Sequence, residues 1–115
     1  MKEALFLTKK VWIYKAPIDF RKQVNGLVQT VVESEGTPND GSVYVFQNRQ
    51  KNKLKLLTWH VNGFFLGYKR LERGRFDFPV EGEVVQLSSR ELMQLLCGMP
   101  MVYAGKGSKN TTLFS

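Results

Sequence analysis

The spacing of hydrophobic residues changes along the chain from the period of a strand to that of a helix and back. Residues 11–14 form a β-branched and aromatic run that predicts a first strand. Beyond Pro17 the apolar positions recur with helical spacing, and Asp19 is suited to cap the helix that they predict. These positions are Phe20, Val24, Leu27, Val28 and Val31. The pattern indicates one amphipathic helix that ends before Gly36.

Two further strands are predicted in the centre of the chain. Residues 42–46 and 54–61 have strand patterns, and a polar, basic loop at residues 48–53 separates them. Asn62-Gly63 then predicts a two-residue hairpin turn, because a type I′ turn needs positive φ at both positions. A third strand is therefore expected to run back antiparallel to the second.

The predicted turn fixes which residues of the hairpin face each other. Val61 would pair with Phe64, and Lys55 would lie directly opposite Arg70. Like charges opposed in a sheet are destabilising, so this pair suggests an anion between them or a neutralising contact from Glu72. One face of the hairpin would be wholly apolar, and we expect it to pack against the helix.

The last third of the chain predicts shorter elements. Phe76 and Phe78 are spaced to share one face of a short strand that Pro79 ends. Ser88 and Glu91 have the spacing of a capping box, in which each side chain accepts a hydrogen bond from the other residue's backbone. The apolar residues that follow predict a short amphipathic helix.

The sequence as a whole predicts an α+β fold in one domain, at residues 1–103. We expect an antiparallel sheet of four or five strands packed on one amphipathic helix, plus a short C-terminal helix. Residues 104–115 are small and polar and are expected to form a flexible tail.

Charge is concentrated in one segment of this basic chain. The formal net charge is +7, and residues 49–75 hold eight lysines and arginines against one acid, Glu72, which gives the same +7. The eight cations are Arg49, Lys51, Lys53, Lys55, Lys69, Arg70, Arg73 and Arg75. A basic block confined to one segment favours a polyanionic partner, first of all nucleic acid, over a merely solvated basic surface.

Nothing in the sequence favours catalysis. His60, the only histidine, is predicted within a strand. Cys97 lies near the C-terminal end of a predicted helix, where the helix dipole disfavours a thiolate, so we expect a small core residue there. Glu81 and Glu83 are the nearest approach to a metal-binding pair and are better explained as a solvated acidic turn. We expect no catalytic residue, no metal and no cofactor.

The sequence also predicts a cytoplasmic protein without a membrane partner. No apolar run approaches the ~20 residues that span a bilayer. The start, MKEALFLTKK, has too few consecutive apolar residues for a signal peptide. The single cysteine excludes an internal disulfide.

The basic segment is the candidate site. Four of its cations recur every two residues between positions 49 and 55, so an extended ribbon would place them on one side unless the loop breaks the alternation. Gly74 allows a bend from which Arg73 and Arg75 can project. Arginine suits bidentate phosphate contacts and lysine point-charge contacts. Phe65 could stack on an unpaired base beside Lys69, although packing under another element is the favoured interpretation.

Four stretches of the chain carry a family resemblance. They are DFRKQVNGL at residues 19–27, VYVFQNRQKNKLKLLTW at 43–59, NGFFLGYKRLERGRF at 62–76 and LMQLLCG at 92–98. In this order they resemble the TnpB-type accessory proteins encoded by the second reading frame of the insertion sequence sixty-six family of bacterial transposons.

The resemblance implies a small, non-catalytic companion of a separate, larger transposase that supplies the catalytic acids. It brings no established site residues to this chain. The expected function is therefore an accessory role in DNA transposition, with DNA and the cognate transposase as partners and the basic hairpin face on DNA phosphates. The alternative is a protein-interaction module that docks on the transposase without touching nucleic acid. Oligomeric state and the choice between duplex and single-stranded DNA stay open.

Overall fold

The computed structural model describes residues 10–76 and 84–97 and shows a five-stranded sheet with one helix on each face. The strands are β1 (Val11–Tyr14), β2 (Val43–Gln47), β3 (Lys53–His60), β4 (Gly63–Arg70) and β5 (Val84–Leu87), and the helices are α1 (Val24–Glu33) and α2 (Ser89–Leu96). The strand order is β4-β3-β2-β1-β5. The α+β prediction is confirmed, while the expected acidic turn at 81–83 and the tail at 104–115 lie outside the described residues.

The sheet is mixed and not wholly antiparallel as predicted. Strands β1 and β2 are parallel, with Val11 opposite Val43, and the other pairs are antiparallel. Helix α1 lies between β1 and β2 in the chain, and a parallel pair requires such a crossover because a tight turn cannot return the chain to the same end of the sheet. Strand β5, which the sequence did not predict, pairs with β1. Central strand β2 is buried along its whole length, since helices cover both faces.

Helix α1 covers one face of the sheet, as expected. Its Leu27 and Val31 are fully buried and belong to one hydrophobic cluster with Leu57 of β3. Phe64 and Leu66 of β4 pack against this cluster. The apolar face of the hairpin therefore does meet the amphipathic helix.

Helix α2 covers part of the opposite face through Leu92 and Leu95, which are fully buried. The predicted capping box is confirmed: Ser88 Oγ accepts from the Glu91 backbone N–H at 3.1 Å, and Glu91 Oε1 accepts from the Ser88 backbone N–H at 2.8 Å. The cap satisfies two backbone donors at the helix start, which suits a helix as short as α2.

The hairpin turn comes one residue earlier than predicted. His60 pairs with Gly63, so Val61 and Asn62 form the loop. The Asn62 N–H donates to the His60 carbonyl at 2.6 Å and closes a three-residue turn around Val61. Val61 adopts a φ of 58° in this turn, although it is a β-branched residue.

This turn shifts the register by two residues, so the predicted pairing of Lys55 with Arg70 is wrong. Lys55 lies opposite Tyr68, and Lys53 lies opposite Arg70. A slip of two residues leaves each side chain on its predicted face, which is why the apolar face is still the one under α1. The observed register also sets Trp59 opposite Phe64, with ring centroids 4.9 Å apart in an edge-to-face arrangement.

Three local predictions also need correction. Helix α1 begins at Val24, because Asp19 accepts from the backbone N–H of Arg21 at 3.0 Å and closes a separate turn instead of capping the helix. Cys97, the C-cap residue of α2, is exposed and not a core residue. Phe76 is buried but lies outside any strand; Phe78 and Pro79 are outside the described residues.

Candidate nucleic-acid interface

Asn48, buried at the end of β2, organises the basic loop between β2 and β3. Its Oδ1 accepts from the backbone N–H groups of Asn52 and Lys53, both at 3.0 Å, and its Nδ2 donates to Asn52 Oδ1 at 2.7 Å. Within this loop Lys51 adopts a φ of 64°. The loop is thus held by a buried amide that the sequence analysis did not single out.

The segment after β4 lies against this loop. The Leu71 N–H donates to the Asn52 carbonyl at 2.8 Å, and the Phe76 N–H donates to the Lys51 carbonyl at 2.7 Å. Gly74 has a φ of 77° and forms the bend that the sequence predicted. Two basic stretches that are distant in sequence therefore meet at one end of the sheet.

We call this region the basic end and define it as residues 19–23, 48–55 and 70–76. Residues 19–23 join it because the Ile18 N–H donates to the Gln47 carbonyl at 3.0 Å, beside the loop. The three segments contain nine lysines and arginines and two acids, a formal charge of nine minus two, or +7. The end of the sheet is thus as positive as the whole chain.

Both acids of the basic end are paired with arginines. Asp19 contacts Arg21 at 2.6 Å, and Glu72 contacts Arg70 at 2.9 Å. The hydrogen bonds from Arg21 hold the pKa of the Asp19 carboxyl well below its usual range, and the bonds to Glu72 raise the pKa of Arg70. Three other acids lie at the opposite end of the sheet: Glu33, Glu35 and Asp40.

Five of the eight predicted cations converge at the basic end without a carboxylate partner among the described residues. They are Arg49, Lys51, Lys53, Arg73 and Arg75. Arg70 joins them but is paired with Glu72. Lys69 does not, because β4 directs it to the other face, where its Nζ donates to the Leu96 carbonyl at the end of α2.

Lys55 is not part of the exposed cationic surface, contrary to the prediction. It is 6% exposed, because β3 turns its side chain under residues 19–23, which precede α1. Its Nζ donates to the carbonyls of Phe20 at 2.9 Å and Lys22 at 2.6 Å and lies 4.8 Å from the centre of the Phe20 ring. Burial lowers the pKa of Lys55, and the charge of Asp19 opposes that effect.

Phe65 is 54% exposed, so the expectation that it packs under another element was wrong. It lies opposite Thr58 near the hairpin turn, with its ring centroid 5.6 Å from that of His60. The hairpin turn is at the far end of the strands from the basic end, and Lys69 is engaged with α2. The structure therefore does not bring Phe65 together with the other predicted residues.

A cleft of 660 Å³ opens beside Lys55 at the basic end. The rings of Phe20 and Tyr68, with centroids 6.1 Å apart, line it together with Arg21 and Lys53. Sequence reasoning missed both rings as site residues. A usable signal was present, because each ring stands directly before two cations, in FRK and in YKR.

The described residues contain no other constellation with obvious chemistry. Among residues 10–76 and 84–97 no group of His, Cys, Asp and Glu side chains could hold a metal ion. In the same part of the chain, neither helix has the length and apolar character needed to cross a membrane.

Fold and site together define a small α+β protein with one strongly basic end. The family model described as "IS66 Orf2 like protein" matches residues 9–105. Two similar proteins of Sinorhizobium fredii (strain NBRC 101917 / NGR234), Uncharacterized protein y4jC and Uncharacterized protein y4hO, are 32% and 36% identical over 92 residues, which cover 78% of this chain and 79% and 80% of theirs. No solved structure matches the chain. The chain belongs to the IS66 Orf2-like family.

Proposed function

We propose that this protein is a non-catalytic accessory factor of DNA transposition that binds DNA phosphates through its basic end. Membership of the IS66 Orf2-like family supports the link to transposition. The observation that carries the DNA-binding part is the joining of residues 48–52 and 71–76 by two backbone hydrogen bonds, which gathers unpaired cations from both segments.

The electrostatics of the basic end favour an external anion. Its two acids are already engaged by arginines, so Arg49, Lys51, Lys53, Arg73 and Arg75 have no carboxylate partner among the described residues. Repulsion among like charges within one end of a small domain is destabilising, and a row of phosphates would relieve it. Positive side chains attract the phosphates of any DNA sequence. Such contacts suit the positioning of DNA better than the recognition of particular bases.

In this proposal the two proteins have separate roles. The catalytic acids of the transposase would act on DNA ends that this protein holds through their phosphates. Binding by counterion release makes such contacts strong at low salt and readily reversed by competing ions. An accessory factor of this kind needs no chemistry of its own.

A salt titration with matched double variants tests the proposal. The log of the affinity for duplex DNA should fall linearly with the log of the salt concentration, by about 0.9 for each phosphate neutralised. The pair Arg73→Ala and Arg75→Ala should make that slope shallower by roughly 1.8. The pair Lys10→Ala and Arg90→Ala removes the same charge far from the basic end, because both residues are exposed and lie beside the opposite strand ends.

The two double variants separate a local site from general attraction. If the interface is the basic end, only the first pair weakens binding strongly. Equal weakening by both pairs would mean that only net charge matters, and absence of binding at low salt would end the DNA proposal.

A second candidate function is docking on the transposase through an apolar surface. Val61 is 78% exposed and Phe65 54% exposed at the hairpin turn, and Met93 is 47% exposed on α2. Co-purification with the cognate transposase after nuclease treatment would support this function, especially if it survives Arg73→Ala and Arg75→Ala but not Phe65→Ala.

A further inference from the structure

The cleft at the basic end holds a buried positive charge that lacks a direct counterion among the described residues. Lys55 Nζ donates two of its three N–H groups to backbone carbonyls and contacts no carboxylate. Asp19, an acid that also lines the cleft, is bonded to Arg21 through both of its carboxylate oxygens. A buried ammonium is costly unless it is paired, so the site is one where an anion from outside the chain would stabilise the protein.

Other groups that line the cleft beside Lys55 also favour binding of an anion. Gln23, the N-cap residue of helix α1, lines the cleft, and its side chain makes no capping hydrogen bond. The N-terminal end of a helix carries partial positive charge and free N–H donors. Lys53, on the same face of β3 and also lining the cleft, adds a second cation. The polar part of the cleft thus has the chemistry of a phosphate site.

The other wall of the cleft is aromatic. Tyr68 lies directly opposite Lys55 in the sheet, is 56% exposed, and is backed by Phe20 at a centroid distance of 6.1 Å. An exposed ring beside a phosphate site matches the repeating unit of a nucleic acid strand, in which a base follows each phosphate. Stacking of a base on such a ring accepts any base, because every base has a π-face.

We propose that this cleft binds one unpaired nucleotide of single-stranded DNA, with the phosphate against Lys53 and Lys55 and the base stacked on Tyr68. This inference rests on the proposed DNA-binding function and adds the class of DNA. In a duplex both faces of a base are covered by its neighbours, so only an unpaired nucleotide can offer a face to Tyr68. Duplex DNA would still bind the exposed cations of the basic end through its phosphates.

The test compares three probes of equal phosphate number by fluorescence anisotropy at one salt concentration. They are a single-stranded oligonucleotide, the same strand with abasic sites in place of its bases, and a blunt-ended duplex without a loop. The full chain is measured as wild type, as Tyr68→Ala and as Phe65→Ala. Phe65 is the matched control, since it lies on the same strand with similar exposure but away from the cleft. Circular dichroism confirms that each variant is folded.

The cleft predicts a specific pattern among these nine affinities. Tyr68→Ala should weaken binding of the single strand about 10-fold or more and leave the duplex within about twofold, because only the single strand can stack. The abasic strand should bind the wild type about as weakly as the normal strand binds Tyr68→Ala. Phe65→Ala should bind all three probes like the wild type.

The outcomes distinguish failure of the nucleotide-binding cleft from failure of DNA binding by the basic end. If the wild type binds all three probes equally, or if Tyr68→Ala and Phe65→Ala behave alike, the cleft holds no base, while phosphate binding by the basic end survives. If no probe binds at low salt, the DNA-binding function fails and the cleft inference fails with it.

Discussion

Replacing Lys51 with glycine should make the protein more stable and a weaker DNA binder at the same time. Lys51 stands in the basic loop with a φ of 64°, a conformation that side chains other than glycine adopt at a cost. Its side chain is exposed and has no partner among the described residues. Both of its backbone hydrogen bonds, from its N–H to the Asn48 carbonyl and from the Phe76 N–H to its own carbonyl, remain available to glycine.

The magnitude follows from two opposing effects on the backbone. The left-handed conformation costs an ordinary residue about 1–2 kcal/mol, which glycine does not lose. Glycine is more flexible in the unfolded chain, and that costs roughly 0.5–1 kcal/mol on folding. The free energy of unfolding should therefore rise by about 0.5–1 kcal/mol, or by roughly 2–4 °C in Tm for a domain of this size. Loss of one phosphate contact should make the salt slope shallower by about 0.9.

Val61→Gly is the matched control for this prediction. Val61 has a similar φ of 58° and is 78% exposed, but it lies at the hairpin turn, away from the basic end. It should stabilise the protein at least as much as Lys51→Gly, since β-branched residues are least suited to this conformation, and it should leave the salt slope unchanged. Urea unfolding gives the stabilities and DNA titrations give the slopes. The reasoning is refuted if Lys51→Gly is destabilising, or if both variants change the slope equally.

Three further outcomes follow from the structure. Glu35→Gly should raise the free energy of unfolding by about 0.5–1 kcal/mol, because Glu35 lies two residues beyond the end of α1 and has a φ of 67°. Gln29→Gly, at an exposed position inside the helix, should lower it by about 1 kcal/mol; urea unfolding measures both, and equal signs would contradict the argument. Asn48→Ala should cost roughly 2 kcal/mol and weaken DNA binding, because the loop loses two backbone contacts; unchanged binding would show that the loop's order is irrelevant. Burial, reinforced by Asp40, raises the pKa of Tyr44 from 10.0 to about 12, so the stability that the neutral phenol contributes is complete below pH 10 and is lost as pH rises to 12. Tyr44→Phe should flatten this alkaline decline in urea unfolding, and an unchanged decline would place its cause elsewhere.

The elements that could be predicted are those whose signals lie within a few residues. The spacing of Leu27 and Val31 indicated the helix face that the structure buries, and Ser88 with Glu91 indicated the start of α2. Local signals failed where tertiary contacts decide. Asn62-Gly63 is a strong turn signal, yet the turn forms at Val61 and Asn62, because that register sets Trp59 against Phe64 while the apolar face stays under α1.

The candidate site was predictable in its composition but not in its arrangement. The sequence shows which residues are charged, and in the structure Arg49, Lys51 and Arg73 lie at one end of the sheet. The sequence does not show that Lys55 is buried, because alternation along a strand indicates which face of the sheet a side chain occupies but not what covers that face. Here the cover comes from residues 19–23, a stretch that the helical pattern had assigned to α1.

Lys55 differs from the other cations of the basic end because it is buried and held in a fixed position. Exposed cations attract any polyanion and release it as salt rises, so alone they predict affinity without any preference for the form of the DNA. A lysine that is fixed by two carbonyls and placed beside an exposed tyrosine has a defined position, and a phosphate bound to it would also be fixed. The base attached to that phosphate would stack on Tyr68 if the base is unpaired and could not do so within a duplex. The two-residue shift in the hairpin register brings Lys55 and Tyr68 opposite each other. The register that overturned the predicted pairing of Lys55 with Arg70 thus creates the geometry on which the proposed preference for unpaired DNA depends.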